Sequence, residues 1–116
     1  MLTVIGKGFS DSEVAVANLL KEQGHSVVLR AADPAAGRMS DLLVDGMRWD
    51  VFTPVASSVN ALPRAIAKKA GQAPTVIVDL RNTSITIEEA KAGNIPARVR
   101  GFTSQISDVK FVKTVG

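Results

Sequence analysis

Two apolar runs flanking Asp45-Gly46 form the centre of the pattern. In Asp41-Leu-Leu-Val-Asp-Gly-Met-Arg-Trp-Asp-Val-Phe-Thr-Pro54, the segments Asp41–Val44 and Met47–Thr53 read as strands. Asp-Gly is the dipeptide that best supplies the positive φ angles of a type I′ turn. A two-residue hairpin sets Val44 opposite Met47, Leu43 opposite Arg48, Leu42 opposite Trp49 and Asp41 opposite Asp50. Side chains alternate along a strand. Leu42, Val44, Met47, Trp49 and Val51 therefore share a core face, and Asp41, Leu43, Arg48, Asp50 and Phe52 share the other. Two opposed carboxylates are unfavourable unless a cation, a shared proton or a basic ligand offsets them. Arg48 is one such cation, so this face reads equally as a solvated, ion-paired surface or as a site.

Elsewhere the pattern alternates between helical and strand periods. Ser10-Asp-Ser-Glu13 has capping-box spacing and predicts a helix over 11–23 that buries Val16, Leu19 and Leu20 and stops at Gly24. His25–Arg30 reads as a strand, and 31–39, with Asp33-Pro34 and Gly37, as a loop. A second helix is expected from Asn60 as cap to Ala70, with Pro63 in its first turn, Leu62 and Ile66 inward and Gly71 as the stop. Thr75–Leu80, the most hydrophobic run, predicts a central strand. A short helix at 86–91, interrupted by Gly93 and Pro96, precedes a polar, basic segment and a last strand over 108–115. The fold class is α/β in the α+β sense: a mixed sheet, a central antiparallel hairpin and flanking helices. One sheet-centred core of Leu42, Val44, Trp49, Val51, Val76, Val78, Val109 and Phe111 is expected, with the first helix packed on it.

A chain of 116 residues, 46% apolar and 22% charged, is expected to form one globular domain, 1–116. The absence of cysteine excludes disulfides, thiolate metal sites and a cysteine nucleophile. The N-terminus is too short for a signal-peptide core and no apolar run reaches membrane-spanning length, so no membrane insertion by this domain is expected. The net charge of +3 is uneven: residues 1–58 carry five basic and seven acidic side chains, residues 59–116 nine and four. A basic half points to an anionic partner such as RNA. There is no GxGxxG, GxxxxGK[ST] or HExxH motif. Gly6-Lys-Gly8 lacks both a third glycine and a convincing preceding strand. The hairpin acids half fit metal-dependent PD-(D/E)xK nucleases, with Asp41 and Asp50 as the two acids. The expected lysine, however, is Phe52, and Ser40 replaces the proline.

Gly37-Arg-Met-Ser-Asp-Leu-Leu-Val-Asp-Gly46, Arg48-Trp-Asp-Val-Phe-Thr-Pro54, Ala65-Ile-Ala-Lys-Lys69, Gln72-Ala73 and Val76-Ile-Val-Asp-Leu80 together resemble the C-terminal nuclease domains of CdiA-type contact-dependent growth inhibition toxins. The resemblance covers residues 37–80 most firmly and weakens after Arg81. It implies a domain of the barnase/EndoU/colicin/RelE group, metal-independent and without cofactor, that cleaves tRNA. It also implies an exported or cell-surface carrier, action in the cytoplasm of a target bacterium and a cognate immunity protein. Some members need a translation elongation factor. Ser40, where proline is usual, is a departure that bears on the turn into the strand.

Carried over residue by residue, the resemblance points to Trp49, Asp50, Thr53, Lys68 and Lys69. Cleaving RNA without a metal requires a base for the ribose 2′-OH, a donor for the leaving oxygen and cations on the phosphate. The residues offer Asp50, with Asp41 opposite it, His25 (the sole histidine) or a lysine as base. Thr53, Thr103 or Ser104 would orient the phosphate, and Arg64, Lys68, Lys69, Arg98, Arg100 and Lys110 would bind RNA. Three bland alternatives stand beside these: a core Trp49, a surface His25 and a merely solvated Arg64/Lys68 helix face. At the level of the whole chain, the alternatives are a metal-dependent nuclease and a non-catalytic binding module. The basic residues Arg64, Lys68, Arg98, Arg100 and Lys110 are expected along one groove.

Overall fold

The computed structural model describes residues 1–31, 35, 41–71 and 73–114, with only the backbone of Asp41. Among the described residues, six strands and four α-helices run in the order β1 (Leu2–Ile5), α1 (Asp11–Glu22), β2 (Val27–Arg30), β3 (Asp41–Val44), β4 (Met47–Phe52), α2 (Leu62–Ala67), β5 (Thr75–Asp79), α3 (Ile87–Ala92), α4 (Ile95–Arg100) and β6 (Asp108–Val112). The strands form one mixed sheet in sequence order. β1 is parallel to β2, β2–β3–β4 are antiparallel, and β4–β5–β6 are parallel. The α+β class and the central hairpin expected from the sequence are both present. The loop expected over 31–39 falls almost wholly outside the described residues, as do Ser40, Gln72 and Val115.

Local chemistry accounts for most element boundaries. Asp45 and Gly46 both take positive φ (51° and 83°), as a type I′ turn demands, and Leu42 pairs with Trp49, Leu43 with Arg48 and Val44 with Met47. The α1 capping box closes as expected: Glu13 N–H donates to Ser10 Oγ (3.1 Å) and Ser10 N–H to Glu13 Oε1 (3.0 Å). A reciprocal box between Thr86 and Glu89 opens α3.

Four expectations need correction. β1 is a true strand, held in parallel register by β2, although its residues are mostly exposed and lack a core pattern. α4 forms within the segment expected to be irregular. Pro96 sits in its first turn, where the missing N–H costs nothing, and Ile95 and Val99 are buried four residues apart. Ser58, not Asn60, caps the 3-10 turn Val59–Ala61 that leads into α2.

The fourth correction concerns the core, which is double. α1 packs Val16, Ala17 and Leu20 against Val27, Leu29, Leu42, Val44 and Ile77 on one face of the sheet. The helices α2, α3 and α4 cover Val76, Val78 and Val109 on the other. β5, with all five residues buried, serves both layers, because alternation sends Ile77 one way and Val76 and Val78 the other. Trp49, Val51 and Phe111 are half-buried at the margins of these clusters.

Candidate functional site

The hairpin's alternation determines what each face of β4 presents. Trp49 and Val51 turn toward α1, while Asp50 and Phe52 turn toward the α2 side. Asp50 is half-buried, and its Oδ2 has no hydrogen-bond partner among the described residues. Burial pushes its carboxyl above the usual range, further than the Lys69 and Arg48 charges pull it down. Lys69, just past α2, places its ammonium 5.2 Å from the centroid of the Phe52 ring, so α2 delivers a cation to the strand that carries Asp50. The expected opposition of Asp41 and Asp50 cannot be drawn, since the Asp41 side chain lies outside the described residues. Its backbone pairs with Arg30.

Thr53 directly follows the end of β4, but its hydroxyl is engaged elsewhere. It donates to Ser12 Oγ (2.6 Å), and Ser12 donates to Asp79 Oδ2 (2.7 Å). Asp79 is fully buried at the end of β5. It also accepts from the Thr114 hydroxyl, from the Thr114 amide (2.9 Å) and from the Arg81 amide (3.2 Å). Burial alone would raise the Asp79 pKa. The hydrogen bonds from Thr114, Ser12 and Arg81 outweigh burial and hold it below the usual carboxylate range. This network ties the carboxyl ends of β4 and β5 to the start of α1. Ser12 and Thr114 were not singled out in the sequence. The available signal was Asp79 itself, a charge inside an otherwise apolar central strand.

On the opposite face of the sheet, His25 Nδ1 lies 2.7 Å from Asp45 Oδ2, and the turn carboxylate also accepts the Ser26 amide (2.9 Å). These bonds hold the Asp45 pKa down. The His25 ring meets Trp49 at 6.1 Å, tilted 61° in an edge-on arrangement. Lys110 lies 5.5 Å from the Trp49 ring centroid and pairs with Asp108 at 3.1 Å. Trp49 is thus neither wholly core nor free. Truncation to alanine should cost about 1.5–3 kcal/mol, roughly half of what a fully buried tryptophan loses, as read from urea unfolding.

The basic residues divide into separate groups. Arg64, Lys68 and Arg98 line one cleft of about 410 Å³ between α2 and α4, together with Asn60 and Phe102. Lys110 is not there, which corrects the single groove expected from the sequence: Val109 and Phe111 face α3 and α4, so the alternating Lys110 must point to the α1 side. Arg100 is exposed at the end of α4 and does not line the cleft. Thr103 accepts the Gln105 amide (3.1 Å) in the turn after α4. No group of three or more His, Asp or Glu side chains among the described residues is arranged to hold a metal ion. Among the described residues, no helix is long and apolar enough to cross a membrane.

A six-stranded mixed sheet with one helix on one face and three on the other, and an antiparallel hairpin at its centre, defines a small α+β domain. A family model described as the contact-dependent growth inhibition CdiA C-terminal domain matches residues 38–115, and the chain belongs to that family. Its fold is similar to a chain of the CdiA-CT/CdiI toxin and immunity complex from Burkholderia pseudomallei. The TM-score is 0.71 at 20% identity over 97% of this chain and 91% of that one. No curated protein matches.

Proposed function

We propose that the chain is a toxin ribonuclease that cleaves tRNA at Asp50 and is neutralised by a cognate immunity protein. The observation that carries this reading is Asp50 itself. A half-buried carboxylate with an unpartnered oxygen and a raised pKa is costly to the fold, and it lies where Lys69 and Arg48 add positive charge. A carboxylate so tuned is a competent base for the ribose 2′-OH. The freed oxygen attacks the neighbouring phosphorus, and the P–O5′ bond breaks to leave a 2′,3′-cyclic phosphate. The protonated Asp50 returns its proton to the departing 5′-oxygen, and the two cations stabilise the charge that builds on the phosphoryl oxygens. Thr53, fixed by Ser12 and Asp79, sets the end of the strand beside that phosphate. His25, oriented by Asp45, is the alternative base. Support for tRNA as substrate comes from the basic second half of the chain and the family resemblance. Support for the immunity partner comes from the similar structure, which is of a toxin and immunity complex.

One observation favours a second reading, in which Asp50 binds a divalent cation. The lysine missing from β4, where Phe52 stands, has a spatial substitute in the Lys69 ammonium above that ring. Purified domain incubated with tRNA, with and without EDTA and with and without a translation elongation factor, separates the two. Cleavage that persists in EDTA is the expected result. Cleavage abolished by EDTA transfers Asp50 to the cation-dependent reading, and none under any condition removes both. Expression without the immunity protein should arrest bacterial growth, and co-expression should relieve the arrest.

A further inference from the structure

The cleft between α2 and α4 has features that a solvated basic surface lacks. Arg64, Lys68 and Arg98 line it, with no acidic residue in its wall, and no ion pair to any of the three is found among the described residues. Arg98 is held in place by hydrogen bonds from Nη1 to Asn60 Oδ1 (3.1 Å) and to the Gly93 carbonyl (3.5 Å). This fixes one guanidinium before any ligand arrives. Phe102 stands beside them 55% exposed, with the Arg64 guanidinium 5.6 Å from its centroid. Cations without acidic neighbours next to an open aromatic ring are what a single-stranded nucleic acid requires: charge for the backbone and a surface on which a base can stack.

We propose that this cleft is a binding subsite for a single-stranded segment of RNA, with backbone phosphates on Arg64, Lys68 and Arg98 and a base against Phe102. Asp50 and Lys69 do not line it, so it positions a substrate and performs no chemistry. The proposal takes RNA as the partner and in that rests on the functional reading above. A guanidinium offers a phosphate two parallel donors, and the prefixed Arg98 loses little freedom on binding. Phe102 supplies the sequence-tolerant part of the contact.

The test is the affinity of the whole domain for a short fluorescein-labelled 2′-O-methyl RNA oligomer in EDTA, measured by anisotropy across salt concentrations. Under these conditions neither form of cleavage proceeds, so binding is read whether or not the chain is a nuclease. The triple variant R64A/K68A/R98A should reduce the magnitude of the log–log salt slope by about 2, since each lost phosphate contact on a single strand removes about 0.7. Phe102→Ala should weaken binding roughly five- to 150-fold with the slope unchanged, as the loss of one stacked base does. Lys68→Ala should lower the slope where Lys21→Ala, which removes the same charge from α1 on the other side of the sheet, does not. An unchanged slope in the triple variant, an equal loss from Lys21→Ala, or a triple variant that loses affinity only for the immunity protein would overturn the proposal. Oligomer binding as predicted by a domain that cleaves no tRNA would leave the cleft standing and remove the nuclease reading. Cleavage with unchanged slopes would do the reverse.

Discussion

Asp50→Asn should abolish toxicity and leave the domain at least as stable as the wild type. Losing a general base costs about 10²–10⁴-fold in rate, enough to relieve growth arrest. The stability half follows from linkage. Folding raises the Asp50 pKa, so its contribution favours the fold below the unfolded value, about 3.9, and is lost as pH rises through the folded value. At neutral pH the native state therefore carries a charge it would be more stable without, and asparagine removes that charge at little change in volume. Thermal melts should show an equal or higher Tm for Asp50→Asn at neutral pH, with the difference vanishing in acid. A variant that unfolds, or a folded one that remains fully toxic, would mark Asp50 as structural or irrelevant.

Asp79→Ala should have the opposite effect, with a large loss of stability. The change leaves the Ser12 hydroxyl, the Thr114 hydroxyl and amide and the Arg81 amide without their acceptor around a site closed to water. Breaking a buried charged network by removing one member costs about 3–5 kcal/mol, a large share of what a domain of this size possesses. The pH signature is also opposite. Because folding depresses the Asp79 pKa, its contribution is present above about pH 3.9 and is lost as pH falls through the lower folded value. Urea unfolding at neutral pH and in acid checks both statements: the gap between wild type and Asp79→Ala should narrow as the wild-type carboxylate protonates. A neutral-pH loss below about 1 kcal/mol would show that the network is dispensable.

The contrast between these two aspartates shows what was legible in the chain. Regular alternation and turn chemistry made the hairpin and its register readable, because Asp45-Gly46 admits few alternatives and one face is apolar. β1 was not readable, since a short edge strand held by one parallel neighbour needs no core pattern. α4 was hidden by Pro96, which marks a break only when it is not in the first turn. At the site, Asp50 was found by its place opposite Asp41. That Asp50 Oδ2 lacks a hydrogen-bond partner among the described residues while Asp79 accepts several depends on what α1, α2 and residue 114 bring across the sheet. The same applies to the basic residues: charge counting grouped Lys110 with Arg64, and only strand alternation in β6 separates them. Phe102 gave no signal, because exposure of a phenylalanine is a tertiary property.

The most direct test is purified wild-type domain and Asp50→Asn incubated side by side with bacterial tRNA, the products resolved on a denaturing gel and both proteins shown to be folded by circular dichroism. Discrete tRNA fragments should appear with the wild type and be absent with the variant. Fragments at undiminished rate from folded Asp50→Asn would contradict the assignment of cleavage to this site.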